Sequence, residues 1–576
     1  PPFCLVNGIF QPNVHKSLFE LTHSIKKAMI RCIFPPGRTD TVRKAEIRLR
    51  NRFFIPAYWL LAAVLACIVT LSLSFWQYGT AEGFAGAPWR SLMQIAWRTA
   101  AYALLGTLLD RMLNLSAAAK SLSPFALGGG LLLCWLPYLY WIFPGTVSND
   151  SVTQVLEIIG VEKLGNANPI FQTALIYFFR GVGKVLGSAD AGVFLYCMVQ
   201  ALLMAWLLGA LLSEQRKSGA PRWLTVTSFL FYGLCPVFPL FAFCVGKDTN
   251  FSMAVLWLSL LIARRLLSQS DGEKPSRWET PCLCAAAVLC TLLRNPGFYL
   301  ALLTLLILLI FSLHGKRRVE GQWKAPAWAL GCILAVYGAL HLLLIPALGI
   351  DPMPATENWS LPLQQVARVA ATHPLTDEEA AAIDGVLELD KLAESYNGEL
   401  SDPVKDLWRK DSTKEQTDAF FRTWRSLLRK YPLTCLSATF HNTYGYLCPG
   451  FLSRIKPTLL IGRQKTMTPA LEAAFPYSVN VRADDLKALM NRLSDFAPFR
   501  VWIAPGLYAW ACLFSLTQLL RSRKKRLLIA AVPALFSLAG CLMSAVNGYF
   551  RYAMPLYLCA PLLLWLCACS NPHTKE

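Results

Sequence analysis

Charge is scarce in this chain. Only 16% of its 576 residues are Asp, Glu, Lys or Arg, against about 25% in an ordinary soluble protein. It has no CxxC pair and no His/Cys set at zinc-binding spacing, which argues against a dithiol or structural-zinc module. No repeat of fixed period and no long low-complexity linker interrupts it, so repeat and disordered architectures are excluded. What fills the sequence is apolar: 55% hydrophobic residues, 18 Trp, 32 Phe and a mean hydropathy of +0.41. Many Leu-rich runs approach the roughly 20 residues a helix needs to cross a bilayer. The fold class that follows is an all-α polytopic membrane protein. Most of the 18 Cys fall inside apolar runs and read as small core residues. Cys435 and Cys448 lie in a hydrophilic stretch, where an oxidising compartment would let them form one disulfide.

Acidic residues are the scarcer of the two signs: 35 Asp and Glu against 55 Lys and Arg, a formal charge of +20. The excess is unevenly placed. Residues 351–500 hold 18 basic and 19 acidic residues, leaving 37 and 16 for the remainder. The first 53 residues carry ten basic and three acidic side chains. Because the chain begins at Pro1, further residues are expected to precede it. The apolar run that follows is too long for a cleavable signal peptide and reads as a first span.

Twelve spans are predicted at 54–76, 94–110, 123–143, 190–213, 223–243, 251–268, 281–293, 297–313, 326–349, 501–520, 527–547 and 552–569. The stretch 169–187 is apolar but carries Arg180 and Lys184. The positive-inside rule settles its place. With twelve spans and a cytoplasmic N-terminus, the basic connections 214–222, 314–325 and 521–526 all face the cytoplasm. A full crossing by 169–187 would invert them, so it is expected to lie along the outer surface or to re-enter from it. Both termini are then cytoplasmic. The excess charge belongs to the arm and the inner loops, where it sets orientation and meets anionic lipid headgroups. Nucleic acid is not needed to explain it.

The expected organisation is a basic arm at 1–53, two accessory spans within 54–122, and a core at 123–350 whose first outer loop is 144–189. An extracytoplasmic, mostly helical domain follows at 351–500, then three spans at 501–570 and a tail at 571–576. Within 351–500, Phe420, Trp424, Leu427, Leu428 and Tyr431 form a helical stripe. Asp377, Glu378 and Glu379 open an Ala-rich run as a helix start.

Ionisable groups at membrane depth cost roughly 2.5–3.5 kcal/mol each on insertion scales. Here they gather at predicted outer ends of spans. Asp150 follows the third span in a Ser/Asn/Asp turn. It can cap the next helix, and as a carboxylate at the edge of a low-dielectric cavity it also suits a general base or a metal ligand. Asn166, Asn168 and Pro169 form an ordinary helix entry. Lys247 and Asp248 adjoin 251–268, where an adjacent pair can simply be solvated. Arg294 and Asn295 join two short apolar runs, and Arg551 and Tyr552 open the last span. Each Arg could snorkel to headgroups. Together, one carboxylate and three cations on one face suit a lipid-linked phosphate. Cations neutralise the leaving phosphate while the carboxylate activates a hydroxyl.

The stretches PGTVSNDSVTQ (144–154), NANPIFQT (166–173), GKDTNF (246–251), LLRNPGFY (292–299), LPLQQVARV (361–369), SDPVK (401–405), KYPLTCLSA (430–438) and RYAMPLYL (551–558) are similar to those of the GT-C superfamily of polytopic membrane glycosyltransferases. The chain resembles most a bacterial group of GT-C-like membrane proteins without an assigned activity. The resemblance implies a catalytic acidic residue in the first outer loop of the core, at Asp150, and a juxtamembrane region at 155–187. It implies a polyprenyl-phosphate-linked sugar as donor and a glycan, lipid or protein acceptor on the outer face. Lys247, Arg294 and Arg551 are the candidate donor-phosphate ligands, an inference from charge and sidedness. Asn149, Gln154, Asn166, Asn168, Asp248, Asn295, Gln364, Gln365 and Tyr552 complete the candidate site. No cofactor is required by the motifs, and Asp150 is the candidate ligand should a divalent cation such as Mg or Mn take part. The chain departs from the group's pattern at Ala167 and Asn168, where two His are usual, so no His-dependent role carries over. Two other classes fit the composition: a transporter or flippase of a lipid-linked saccharide, and a non-catalytic envelope-assembly protein.

Overall fold

A computed structural model describes residues 55–271, 276–314, 321–453, 469, 476–478, 482–522 and 525–569. The expected arm at 1–53, the tail at 571–576 and much of the basic clusters at 314–325 and 521–526 lie outside the described residues. From Ala57 onward the contacts gather the chain into one compact unit.

Among the described residues the architecture is helical, apart from one two-rung ladder and three isolated bridges. Strand β1 (Thr146–Val147) pairs in parallel with β2 (Cys244–Val245), Thr146 opposite Cys244 and Val147 opposite Val245. The principal helices are α1 (Pro56–Tyr78), α2 (Pro88–Leu113), α3 (Pro124–Ile142), α4 (Asn149–Ile158), α5 (Ile170–Val185), α6 (Ala189–Lys217), α7 (Arg222–Leu234), α8 (Lys247–Asp271), α9 (Glu279–Leu293), α10 (Gly297–His314) and α11 (Lys324–Gly338). After them come α12 (Ser360–Thr372), α13 (Lys414–Lys430), α14 (Pro432–Thr443), α15 (Ala483–Asp495), α16 (Pro505–Arg521), α17 (Leu528–Leu542) and α18 (Phe550–Cys569).

Among the described residues, eight helices are long and apolar enough to cross a membrane, or nine if the bent pair Ala497–Ile503 and α16 counts as one span. This is a membrane-embedded helical protein. All twelve predicted stretches are helical, and four differ from a simple span for local reasons. α2 is long, but Gln94 and Arg98 dilute its apolar run. Arg98 donates to Thr70 Oγ1 of α1 at 2.7 Å. The 223–243 stretch breaks at Cys235 and Pro236 into α7 and a short helix, Val237–Ala242. α9 has only 15 residues. The 501–520 stretch bends by 59° between Ile503 and Pro505. The ambiguous 169–187 stretch is α5, 16 residues long with both basic groups on it.

The candidate spans differ in how deeply they sit. α18 is 83% buried across its apolar window and α8 72%, whereas α3 is 22% and the span built on α11 is 17%. α8 and α18 pack on each other, with α9, α16 and α17 around them. The two-rung ladder ties this centre to α4. Thr146 N–H donates to Phe243 O at 2.9 Å and Ser148 N–H to Val245 O at 3.1 Å. Gly145 is needed just before it, because it has φ +135° and a Cβ there would meet Cys197 Sγ at 2.5 Å. Gln200 of α6 donates to the carbonyls of Phe241, Ala242 and Cys244 at 2.9–3.0 Å, which fixes β2 from behind.

Residues 351–453 form a helical layer with its own apolar centre: Leu363, Val366, Ile383, Leu392, Phe420 and Leu427, with Trp359, Trp408 and Trp424 against them. The helix start predicted at Asp377 is present, and a second of the same kind stands before α13. Thr376 and Glu379 make a reciprocal capping box before Asp377–Asp384, and Thr413 and Gln416 make another before α13. The layer is bonded to the segment between α17 and α18. Ser401 N–H donates to Ala545 O at 2.8 Å, Asn442 Nδ2 to Ser544 O at 2.6 Å, and Asn547 N–H to Glu399 O at 2.9 Å. Cys435 and Cys448 are not bridged. Both thiols are free, and they are buried in different apolar clusters, Cys435 with Phe420 and Leu427, Cys448 with Phe75 and Tyr444.

Candidate functional site

The ladder sets two helix starts side by side. Ser148 Oγ accepts the Ser151 N–H at 3.4 Å and begins α4. Asp150 therefore stands in the first turn of α4, where a carboxylate is favoured by the helix dipole. One residue beyond β2, Lys247 and Asp248 open α8. The ends of α9 and α18 complete the arrangement. α9 stops at Leu293, leaving Arg294 extended. The chain turns so tightly there that a Cβ on Gly297 would fall on the Cys290 carbonyl. α18 begins at Phe550, so Arg551 emerges from its first turn.

These four ends form one alternating chain of charge. Arg551 grips Asp150 with two parallel bonds, Nη1 to Oδ1 at 3.0 Å and Nη2 to Oδ2 at 2.6 Å. Lys247 Nζ lies 2.8 Å from the same Oδ2 and donates to Asn168 Oδ1 at 2.6 Å. Arg551 Nε faces Asp248 Oδ2 at 2.8 Å, and Arg294 Nη1 lies 3.5 Å from Asp248 Oδ1. The order is Lys247, Asp150, Arg551, Asp248, Arg294. Three cations meet two carboxylates, so the group keeps one net positive charge. Its side chains are graded in exposure, with Asp248 at 7% and Arg551 at 9%, Arg294 at 20% and Asp150 at 27%. The open side is the one that carries Asp150.

Aromatic rings floor the cations. The Tyr552 ring lies 5.0 Å from the Arg294 guanidinium and 5.8 Å from that of Arg551, with Tyr549 5.3 Å from Arg551 and Phe251 5.7 Å from Arg294. Such faces attract guanidinium groups and hold them in place. Burial disfavours the charged form of Asp150, but Arg551 and Lys247 outweigh it and hold the carboxyl well below the usual carboxylate range. Asp150 is thus a permanent anion and a weak proton acceptor.

Of the other candidates, Asn168 is in the chain of contacts through Lys247. Asn295 Nδ2 donates to Asn166 O at 3.1 Å, so those two residues brace the loop before α5 beside Arg294. Gln154 packs α4 on α5, donating to Thr173 Oγ1 at 2.8 Å. Asn149 is exposed at the head of α4. Gln364 and Gln365 lie on α12, within the 351–453 layer. Gln364 donates to Asn397 O at 2.9 Å, while Gln365 donates to Thr439 Oγ1 at 2.9 Å and accepts from Trp424 Nε1 at 2.8 Å. These bonds stay within the 351–453 layer, while Gln364 Oε1 is buried without a hydrogen-bond partner among the described residues.

The sequence reading missed two features. Asn250 donates to Tyr196 OH at 2.7 Å and to Gln172 Oε1 at 3.3 Å, a neutral network tying α8, α6 and α5 together. Nothing in neutral residues so far apart in sequence signals this. The second is Glu157, seven residues after Asp150 on α4, which helical spacing alone could have found. Among the described residues no group of three or more His, Cys, Asp or Glu gathers as a metal site. The donor set at Asp150 does not suit a divalent ion, since both its oxygens and both of Asp248 already face guanidinium or ammonium groups.

Over residues 160–576 the chain matches the profile of a family of unknown function, DUF6020, and it belongs to that family. The matched span contains Lys247, Asp248, Arg294 and Arg551, while Asp150 and Glu157 lie just ahead of it. No curated protein and no solved structure matches the chain.

Proposed function

We propose that this chain is a membrane glycosyltransferase of the GT-C kind, moving a sugar from a polyprenyl-phosphate carrier to an envelope glycan, lipid or protein at the outer face of the cell membrane. The observation that supports it most is the alternating chain gathered at the starts of the two most enclosed helices, where a buried Arg551 and the half-buried Lys247 and Arg294 meet two carboxylates. Buried ion pairs seldom improve stability over apolar packing, so a group of five points to a ligand. A phosphate matches guanidinium forks as a carboxylate does, with more charge. In this reading the donor phosphate exchanges for Asp150 on Arg551 and Lys247, and Arg294 closes on its other oxygens. The topology that goes with it is twelve spans, cytoplasmic termini and residues 351–500 outside.

The chemistry is a displacement at the sugar C1. The acceptor hydroxyl oxygen forms the new bond to C1 and gives up its proton to a base. The bond from C1 to the phosphate oxygen breaks, and its electron pair stays on that oxygen. The cations neutralise the polyprenyl phosphate as its charge grows. Positive charge develops at C1, and the permanent Asp150 anion stabilises it across a low-dielectric site.

The test uses the full chain in liposomes with a panel of polyprenyl-phosphate hexoses and pentoses, reading polyprenyl phosphate released and sugar transferred. D150N should lower turnover at least about a hundredfold, the range seen when one electrostatic group is removed from a preorganised site, while the protein remains folded in the membrane. Full turnover by D150N sinks the assignment. Movement of the intact lipid-linked saccharide between leaflets, without covalent change, replaces it with a flippase.

A further inference from the structure

α4 carries a second carboxylate on the same face as the first. Asp150, Gln154 and Glu157 are spaced i, i+4, i+7, which aligns them along one side of a helix. Seven residues rise about 10 Å along the axis, and Gln154, buried against Thr173 of α5, lies between the two carboxyl groups. Their surroundings differ sharply. Both Asp150 oxygens are taken up by cations. Glu157 Oε2 is buried and has no hydrogen-bond partner among the described residues. Its other oxygen faces Gly165, whose backbone N–H binds the carboxyl and where an added Cβ would sit 3.6 Å from Oε1. The segment at Gly165 is itself fixed by a single parallel bridge to Asp351, and Asn166 N–H donates to Asp351 O at 2.8 Å. A buried oxygen without a partner costs about 1–3 kcal/mol.

We infer that Glu157 is the proton acceptor of the transfer, facing the incoming hydroxyl while Asp150 stays ionised beside the donor. This rests on the transferase reading above. The balance is simple. As the hydroxyl oxygen bonds to C1 and the phosphate leaves with its electron pair, the hydroxyl proton passes to Glu157 Oε2, and Glu157 then releases it to water.

The charged groups around Glu157 agree with that role. Burial raises its carboxyl, the Gly165 N–H lowers it, neighbouring Glu162 raises it and Lys247 lowers it, and the outcome is a group pushed up to about 7. A base works best when its pKa lies near the operating pH. Two carboxyls on one helix, driven in opposite directions, divide the electrostatic and proton-transfer roles.

The experiment compares wild type, Glu157→Gln and Glu157→Asp, each as the full chain in liposomes with the same donor panel, across pH 5 to 9 (about two units either side of a midpoint near 7). A base must be deprotonated, so wild-type turnover should climb as pH rises through neutrality. E157Q should lose that acid limb and about a hundredfold or more in turnover, with the KM for donor little changed. E157D keeps an ionisable group and should recover part of the rate and a displaced limb. An infrared titration of the same preparations gives a readout free of turnover: a protonated-carboxyl band that disappears through neutrality in wild type and is missing in E157Q. The inference falls if wild type transfers sugar and E157Q keeps its rate and pH profile, or if wild type lacks the infrared band. Wild-type inertness to every donor overturns the transferase reading, and this assignment with it.

Discussion

The helix-end charges and the 351–453 layer solve the problem of polar groups in opposite ways. In the layer, charged residues pair at the surface, as Lys391 does with Glu388 and Arg409 with Asp384. Its polar side chains cap helices or close short bonds, as Gln365 does with Trp424 and Thr439. Its stability comes from an apolar centre rich in Trp and Phe. At the helix ends, charges from four elements are drawn together and largely hidden from solvent, Asp150 and Arg551 being separated by 401 positions in sequence. The first pattern is what folding requires. The second costs desolvation that an apolar cluster would avoid, so its retention argues for work on an anion.

The largest test of that contrast is Arg551→Ala. It removes the one group shared by both carboxylates and leaves Asp150 and Asp248 facing each other with Lys247 and Arg294 alone to offset them. Breaking a buried pair from one side typically costs about 3–5 kcal/mol. The expected outcome is a large fall in the thermal midpoint of the detergent-solubilised protein, read by fluorescence-detected size exclusion. Arg551→Lys keeps the charge and loses the two-pronged grip on Asp150, so it should fall between the two. A midpoint for R551A close to wild type would mean the helix-end charges are solvated after all, and the contrast with the layer would collapse.

The next test asks whether Asp150 competes with phosphate. Asp150→Asn keeps the shape but raises the net charge of the group by one. If the carboxylate occupies the place of a phosphate, the variant should bind polyprenyl phosphate in lipid nanodiscs about tenfold more tightly, the equivalent of roughly 1.4 kcal/mol, even though it no longer transfers sugar. Tighter binding with lost transfer separates ligand recognition from chemistry at one residue. Weaker binding would make Asp150 part of the phosphate's own grip and end the exchange picture.

Much of this was legible in the sequence because charge is so sparse in it. Asp150, Lys247, Asp248, Arg294 and Arg551 stand out against apolar surroundings, and parity of the spans put them on one side. The physical link that joins them was not legible. A two-rung ladder between Thr146–Val147 and Cys244–Val245 is too short to leave an alternation pattern, yet it sets α4 beside α8. Span lengths were also hard to read, because Pro236 and Pro505 bend the backbone without changing local hydropathy. Glu157 escaped notice although its helical spacing from Asp150 could have marked it, because its burial was not legible. Gln364 and Gln365 read either way, since an amide pair suits sugar binding and internal satisfaction equally well.

The smallest effect separates those last two meanings. Gln365→Leu removes one bond to Thr439 and one from Trp424, and gains apolar contact in a cluster that already holds Trp424. The net cost should be about 1 kcal/mol, the scale of a neutral hydrogen bond, and it should appear in the thermal midpoint alone. Trp424→Phe, which removes the donor and keeps the ring packing, should lose a similar amount and show little further loss when combined with Q365L, since both delete the same bond. Binding of polyprenyl phosphate should be unchanged in all three. If Q365L instead weakens donor turnover while the midpoint holds, the layer reaches over the helix ends and supplies a sugar-binding amide, and the division between a folding layer and a charged site has to be redrawn at Gln365.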